Sequence, residues 1–249
     1  MTIDINIIDK EFKEYVKNFD MDNKDIFLKY EHTFEVVNIM EKICKKLNLS
    51  EEQTSLAKAI AYFHDLGRFE QLRRTSTYRD DLLDHAEYGA DLLIKEEYIK
   101  KFSIDEKYYQ IIEKAVRHHN KLEVNEELSS EEELQVKLIR DADKIDIYRV
   151  MVKFFENNFL VMPSQKVLNE FYNHKSINKK DIKNKSDSLI CQMAFTFDLN
   201  YEESKEVLKE TRYYQDYINS INVSDEEEVK EVFEKVKLEI YKYLNIEES

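Results

Sequence analysis

Only two glycines and one proline interrupt the 249 residues of this chain. These two residue types end helices, make tight turns and open hairpins, so a chain this poor in them has little means of building a β-rich or loop-rich fold. Lys, Glu, Leu and Ile fill the intervals instead, and an all-α helical bundle follows, long enough for a sizeable core. No low-complexity linker or internal repeat divides the sequence. We therefore expect a single helical domain over residues 1–249, with a core at about 25–155 and a C-terminal helical extension at about 160–249.

The formal charge of -14 speaks against a nucleic-acid polymer as partner, because phosphate backbones are held by basic surfaces. A small anionic substrate stays open, since a metal or a local group of cations can dominate its own site. No apolar run approaches the ~18 residues of a membrane span, and the chain opens without a signal peptide, so no membrane partner is expected. Cys44 and Cys191 form no motif and suit a reducing cytoplasm as small apolar residues. The expected location is cytoplasmic.

Apolar spacing marks the helices. A first runs over residues 5–19. A second, from about Lys29 to Leu47, carries Val36, Met40, Ile43 and Cys44 at three- and four-residue steps, with His32 four residues before Val36 on the same face. Taken alone, His32 reads as a core histidine. Ser50-Glu51-Glu52-Gln53 is a capping-box signature, and the helix it opens places Leu56, Ala57, Ile60 and His64 on one face before Gly67, which suits a left-handed helix end. The helical period then fades from Phe69 to Asp84. Arg73, Arg74 and Arg79 lie there among Thr75, Ser76 and Thr77, either as a lid or phosphate clamp or as a solvated basic loop. His85 opens a further helix. Another, from about residue 105, ends in Arg117-His118-His119-Asn120.

Ser130-Glu131-Glu132-Glu133 is a second capping box, starting a helix to about Phe155 whose apolar stripe includes Ile139, Ala142, Ile147 and Phe154. Asp143 falls inside that stripe, and a carboxylate on a buried face needs a cation or a good donor set. Asp141, Lys144, Asp146 and Arg149 surround it, so a salt-bridge network is the alternative. Pro163 breaks the pattern. Amphipathic segments follow at about 165–172, 184–198, 201–219 and 225–244, the last with a capping box at Ser224-Asp225-Glu226-Glu227. Tyr213, Tyr214 and Tyr217 read as packing residues and His174 as a surface residue.

The chemistry-bearing residues in order are His32, His64-Asp65, His85, His118-His119 and Asp143. Burying His64 beside Asp65 is costly without a partner, and a divalent cation uses both groups together. This ordered set resembles the HD superfamily of metal-dependent phosphohydrolases, whose core carries H…HD…D on a bundle of about five helices. The extra histidines are similar to the branch that binds two metals. The resemblance implies a first metal on His32, His64, Asp65 and Asp143. It implies a second on His85 and His118, with Asp65 bridging and His119 a ligand or a support. One or two divalent ions (Mn, Fe, Co, Ni, Zn or Mg) are thereby expected; imidazole and carboxylate suit most of them, and no thiolate is present to specify zinc. Two such ions activate a water for attack on phosphorus, in which Asp65, Arg68 and Lys144 would take catalytic parts. Arg68, Arg73, Arg74 and Lys144 would bind the phosphate.

Two branches differ from this chain. The HD-GYP cyclic-dinucleotide phosphodiesterases carry Gly-Tyr-Pro after HHE, where this chain has His118-His119-Asn120 and its only proline is Pro163; Leu28 stands where their three-metal members have a glutamate. The alarmone hydrolases have HDxxED against His64-Asp65-Leu66-Gly67-Arg68-Phe69 here. The expected function is hydrolysis of a phosphate ester or anhydride of a small molecule, a nucleotide being the favoured substrate. The alternatives are a non-catalytic HD-type sensor that binds a nucleotide or metal and a purely structural bundle.

Overall fold

The computed structural model describes residues 3–152, 160–221 and 226–246. Among these residues every regular element is helical and no strand forms, so the fold is all-α. No helix among them is long and apolar enough to cross a membrane. The chain divides into two compact units, Met1–Asp143 and Lys144–Ser249.

The first unit is built from α1 (Ile5–Val16), α2 (Lys24–Lys46), α3 (Glu51–Phe63), α4 (Leu66–Thr75), α5 (His85–Ile94), α6 (Tyr109–His118) and the opening turns of α7 (Ser130–Val152). The starts of α1, α2, α3, α5 and α7 are specified by side chains that take up orphan backbone donors. Asp4 accepts from Asn6 N at 2.9 Å, and Asn23 accepts from Asp25 N at 2.9 Å and Ile26 N at 3.3 Å. Asn23 therefore opens α2 at Lys24, a full turn before the expected Lys29. The capping box at Ser50 and Gln53 forms as expected. The second box lies one residue earlier than expected: Ser129 N donates to Glu132 Oε2 at 2.7 Å and Glu132 N donates to Ser129 Oγ at 3.3 Å.

The core of this unit is aromatic. Phe12, fully buried, meets Phe34, Tyr62 and Phe69 with ring centroids 5.5–6.1 Å apart. Tyr15 adds a polar tie, its hydroxyl donating to Leu66 O at 3.0 Å. That bond holds α1 to the backbone immediately after Asp65.

The expected loop at 69–84 is half helix. Leu66, Phe69 and Leu72 are buried along α4, but Arg68, Glu70 and Gln71 are buried as well, and their polarity masks the helical period. The loop proper is 76–84, entered through Ser76 at φ 53°. Gly67 does not close a helix either: neither glycine has positive φ. It lies in the first turn of α4, where the missing Cβ lets α5 approach; a Cβ there would run into His85 O and stand 2.7 Å from Gly89 N.

The second unit carries α8 (Gln165–Tyr172), α9 (Lys185–Met193), α10 (Glu202–Thr211), α11 (Tyr213–Ser220) and α12 (Glu227–Tyr243), with 3-10 turns at Lys179–Asp181 and Ala194–Asp198. The segment expected as one helix at 201–219 is two, broken at Arg212 with φ 59°. Tyr214 and Tyr217 are buried in packing, as expected. His174 pairs with Glu239 at 2.8 Å and stacks on Phe197 at 4.4 Å. Buried Asp187 staples the unit's first loop, accepting from Ser164 N and Ser164 Oγ, each at 2.7 Å, and from Lys183 N at 2.9 Å. The expected stripe residue Phe154, the helix end at Phe155 and the Ser224-Asp225 half of the third capping box lie outside the described residues.

Candidate metal centre

His64 is the C-cap of α3 and Asp65 the N-cap of α4, so the dipeptide is the two-residue break between two helices. Asp is a favoured N-cap because its carboxylate can accept from the next turn. Asp65 makes no such bond. Its carboxylate, 3% exposed, instead reaches into a cluster of histidines.

The cluster has two halves. In the first, His32 from α2, His64 and Asp143 from α7 converge: His32 Nε2 lies 3.1 Å from Asp143 Oδ1 and 3.3 Å from His64 Nε2. In the second, His85 from α5 and His119 at the end of α6 face each other, Nε2 to Nε2, at 3.0 Å. Asp65 lies between the halves. Its Oδ2 is 3.6 Å from both His32 Nε2 and His64 Nε2, and its Oδ1 is 3.3 Å from His85 Nε2 and 3.8 Å from His119 Nε2. Within each of the groups His32/His64/Asp143 and Asp65/His85/His119 the ligand atoms lie within 4.8 Å of one another.

Hydrogen bonds on the far side of the rings decide what these nitrogens offer. His64 Nδ1 donates to Ala61 O and His119 Nδ1 to Val116 O, both at 2.7 Å, and His85 Nδ1 meets Asp80 Oδ1 at 2.6 Å. A proton held on Nδ1 leaves a bare lone pair on Nε2. Burial, helped by the neighbouring His85 and His64, lowers His119 to about 3, and burial also lowers His64 and His85, so the rings are neutral. Burial alone would raise the two carboxyls. The cations Lys29 and Arg68 outweigh it at Asp65, and the hydrogen bond from His32 outweighs it at Asp143, holding both below the usual range. The bare nitrogen lone pairs of His85 and His119, 3.0 Å apart beside an ionised carboxylate, are an arrangement that a divalent cation satisfies and that repels itself without one. The donor set fits such an ion.

Two cations of the chain border the cluster. Lys29 Nζ donates to Asp65 Oδ2 at 2.7 Å. Arg68 donates from NH2 to His85 Nε2 at 2.9 Å, with its Nε 3.7 Å from Asp65 Oδ1. Its NH1 bonds Gln71 Oε1, Asp80 Oδ1 at 3.2 Å and Tyr78 O at 3.3 Å, and its buried Nε–H has no hydrogen-bond partner.

Of the sequence-predicted residues, His32, His64, Asp65, His85, His119 and Asp143 come together and Arg68 borders them. His118 does not: its Nε2 pairs with Glu126 at 2.5 Å, and the place expected for it in the second half is taken by His119. The signal was present, because His119 lies three, four and seven residues after buried Val116, Ala115 and Ile112, the helical spacing of an inner face. Arg73 and Arg74 both pair with Glu70 and are half exposed on α4. Lys144 falls in the second unit, where its ammonium pairs with Asp198 Oδ2 at 2.5 Å. Lys29 was missed; its position three residues before His32 on the same helix was the available clue. Asp80 and Gln71 were missed too, and Asp80 lies in a loop with no period to place it.

This all-α unit gathers four buried histidines and two aspartates from neighbouring helices into one cluster that could hold divalent metal. Residues 30–148 match the family model of the HD domain, and every histidine and carboxylate of the cluster falls inside the match. HD domains bind divalent metals and are generally metal-dependent hydrolases, some members being non-catalytic. No curated protein and no solved structure matched the chain in the other comparisons.

Proposed function

We propose that the protein hydrolyses a phosphate ester or anhydride of a small molecule, a nucleotide being the favoured substrate. The observation that carries this reading is Asp65, one of whose oxygens faces each pair of histidines. Divalent cations bound by the two groups would supply a Lewis acid and a water of lowered pKa.

The chain's own residues do the rest. His64 and His119, fixed by backbone carbonyls at 2.7 Å, keep their Nε2 lone pairs aimed inward without reorganisation. Lys29 keeps Asp65 ionised and adds positive charge at its Oδ2. Arg68 offers a buried, unpartnered Nε–H beside Asp65, a donor for a phosphate oxygen at the point where charge accumulates. These two cations take the phosphate-binding part expected of Arg73, Arg74 and Lys144. They also reconcile an anionic substrate with a chain of charge -14.

The test is a panel of nucleotides and phosphate esters presented to Mn-, Co- and Ni-loaded protein, with Asp65→Asn as control. Turnover lost in Asp65→Asn supports the reading. Undiminished turnover in that variant overturns the role of Asp65. Binding without turnover across the panel identifies a non-catalytic HD module instead.

A further inference from the structure

We propose that Arg68 competes with a divalent cation for His85 Nε2, so that the two ligand groups load unequally: His32/His64/Asp143 tightly, Asp65/His85/His119 more weakly. This rests on reading the cluster as a metal centre.

The argument is one of lone pairs. With its proton on Nδ1, toward Asp80 at 2.6 Å, His85 has a single in-plane lone pair at Nε2. Arg68 NH2 donates into it at 2.9 Å. One lone pair holds either that N–H or a cation, never both. Lys29 on Asp65 Oδ2 is a different case, because a carboxylate oxygen has a second lone pair and serves an ammonium and a metal together. In the first group, among the described residues, no arginine or lysine hydrogen-bonds to His64 or Asp143.

Charge acts in the same direction. Arg68 is 9% exposed, so a dication arriving at His85 meets a buried positive charge that water screens poorly. The arginine is also held in place: NH1 is tied to Gln71, Asp80 and Tyr78 O, all within α4 and the loop that follows it. Filling the second group therefore requires NH2 to leave His85 while NH1 stays tethered, and that cost is charged to the second metal alone.

The experiment is calorimetric titration of chelator-stripped protein with Mn, read alongside metal content after dialysis. Wild type is expected to bind in two steps separated by about tenfold or more, as ligand-shell changes of this kind produce. Arg68→Met is expected to tighten the weaker step by about fivefold or more and leave the tighter one unchanged, and His85→Ala to remove the weaker step. Arg68→Gln, which removes the charge and retains a polar group, serves as the second variant should Arg68→Met fold poorly. Two equal steps in wild type, or a weaker step unmoved or loosened in the arginine variants, overturns the competition while leaving the metal centre intact. Absence of Mn binding in wild type overturns the metal-centre reading and the competition with it.

Discussion

Gly67 and Gly89 meet where α4 crosses α5, and a Cβ built on Gly67 would collide with the carbonyl oxygen of His85. The residue two after Asp65 thus sets how closely the helix carrying His85 can approach, and the separation of Asp65 Oδ1 from His85 Nε2, 3.3 Å, depends on it.

Gly67→Ala should therefore lower stability by about 1–3 kcal/mol, the usual cost of overpacking against backbone that cannot yield. Gly89→Ala should cost less, because its Cβ would stand 3.2 Å from Gly67 N and 3.6 Å from Val116 Cγ1. Denaturant melts of both variants measure the order. Metal content of Gly67→Ala should fall with it, since His85 is displaced.

Adjacent histidines give the sharpest contrast. His119→Ala should remove about one metal equivalent and lower any phosphohydrolase activity by about tenfold or more, whereas His118→Ala, which loses only its pairing with Glu126, should retain both. Metal analysis of the two purified variants decides between the assignments.

Both cysteines should be silent to thiol reagents in the folded protein. Burial pushes the Cys44 thiol up to about 12 and Cys191 up to about 11, so at pH 8 each is protonated as well as shielded. Labelling should appear only on unfolding. The sign of the linkage follows: from about pH 9 upward the unfolded chain releases thiol protons that the folded chain still holds, and stability falls with rising pH through that window. Labelling kinetics and melts between pH 8 and about 10 check both statements.

Asp187 should anchor the second unit. Burial alone would raise its carboxyl, but the bonds from Ser164 and Lys183 outweigh it and hold it below the usual range. Asp187→Ala should cost about 1–3 kcal/mol, because Ser164 N and Lys183 N lose their acceptor. Its contribution is present above the ordinary carboxylate range and is lost as pH falls through the lowered folded value. Urea melts of wild type and variant at pH 7 and pH 3 measure it.

What was legible in the sequence was whatever repeats along a helix. The scarcity of breakers determined the all-α class, and three- and four-residue spacing located most helices. His32 and Asp143 stood out because a polar group in an apolar stripe violates the pattern it sits in. α4 was hidden for the converse reason: its buried face carries Arg68, Glu70 and Gln71, whose partners lie on the chain beyond it or on its own turns.

The sequence by itself thus determined the helical class and the ordered histidines and aspartates that carry the family match, since both are properties of composition and spacing. Only the tertiary structure decided that Asp65 offers one oxygen to each histidine pair and that Lys29, Asp80 and Arg68 surround them. Those relationships join residues on different helices, and a side chain's direction across a helix crossing is set by how closely two backbones approach, here by the absence of a Cβ on Gly67.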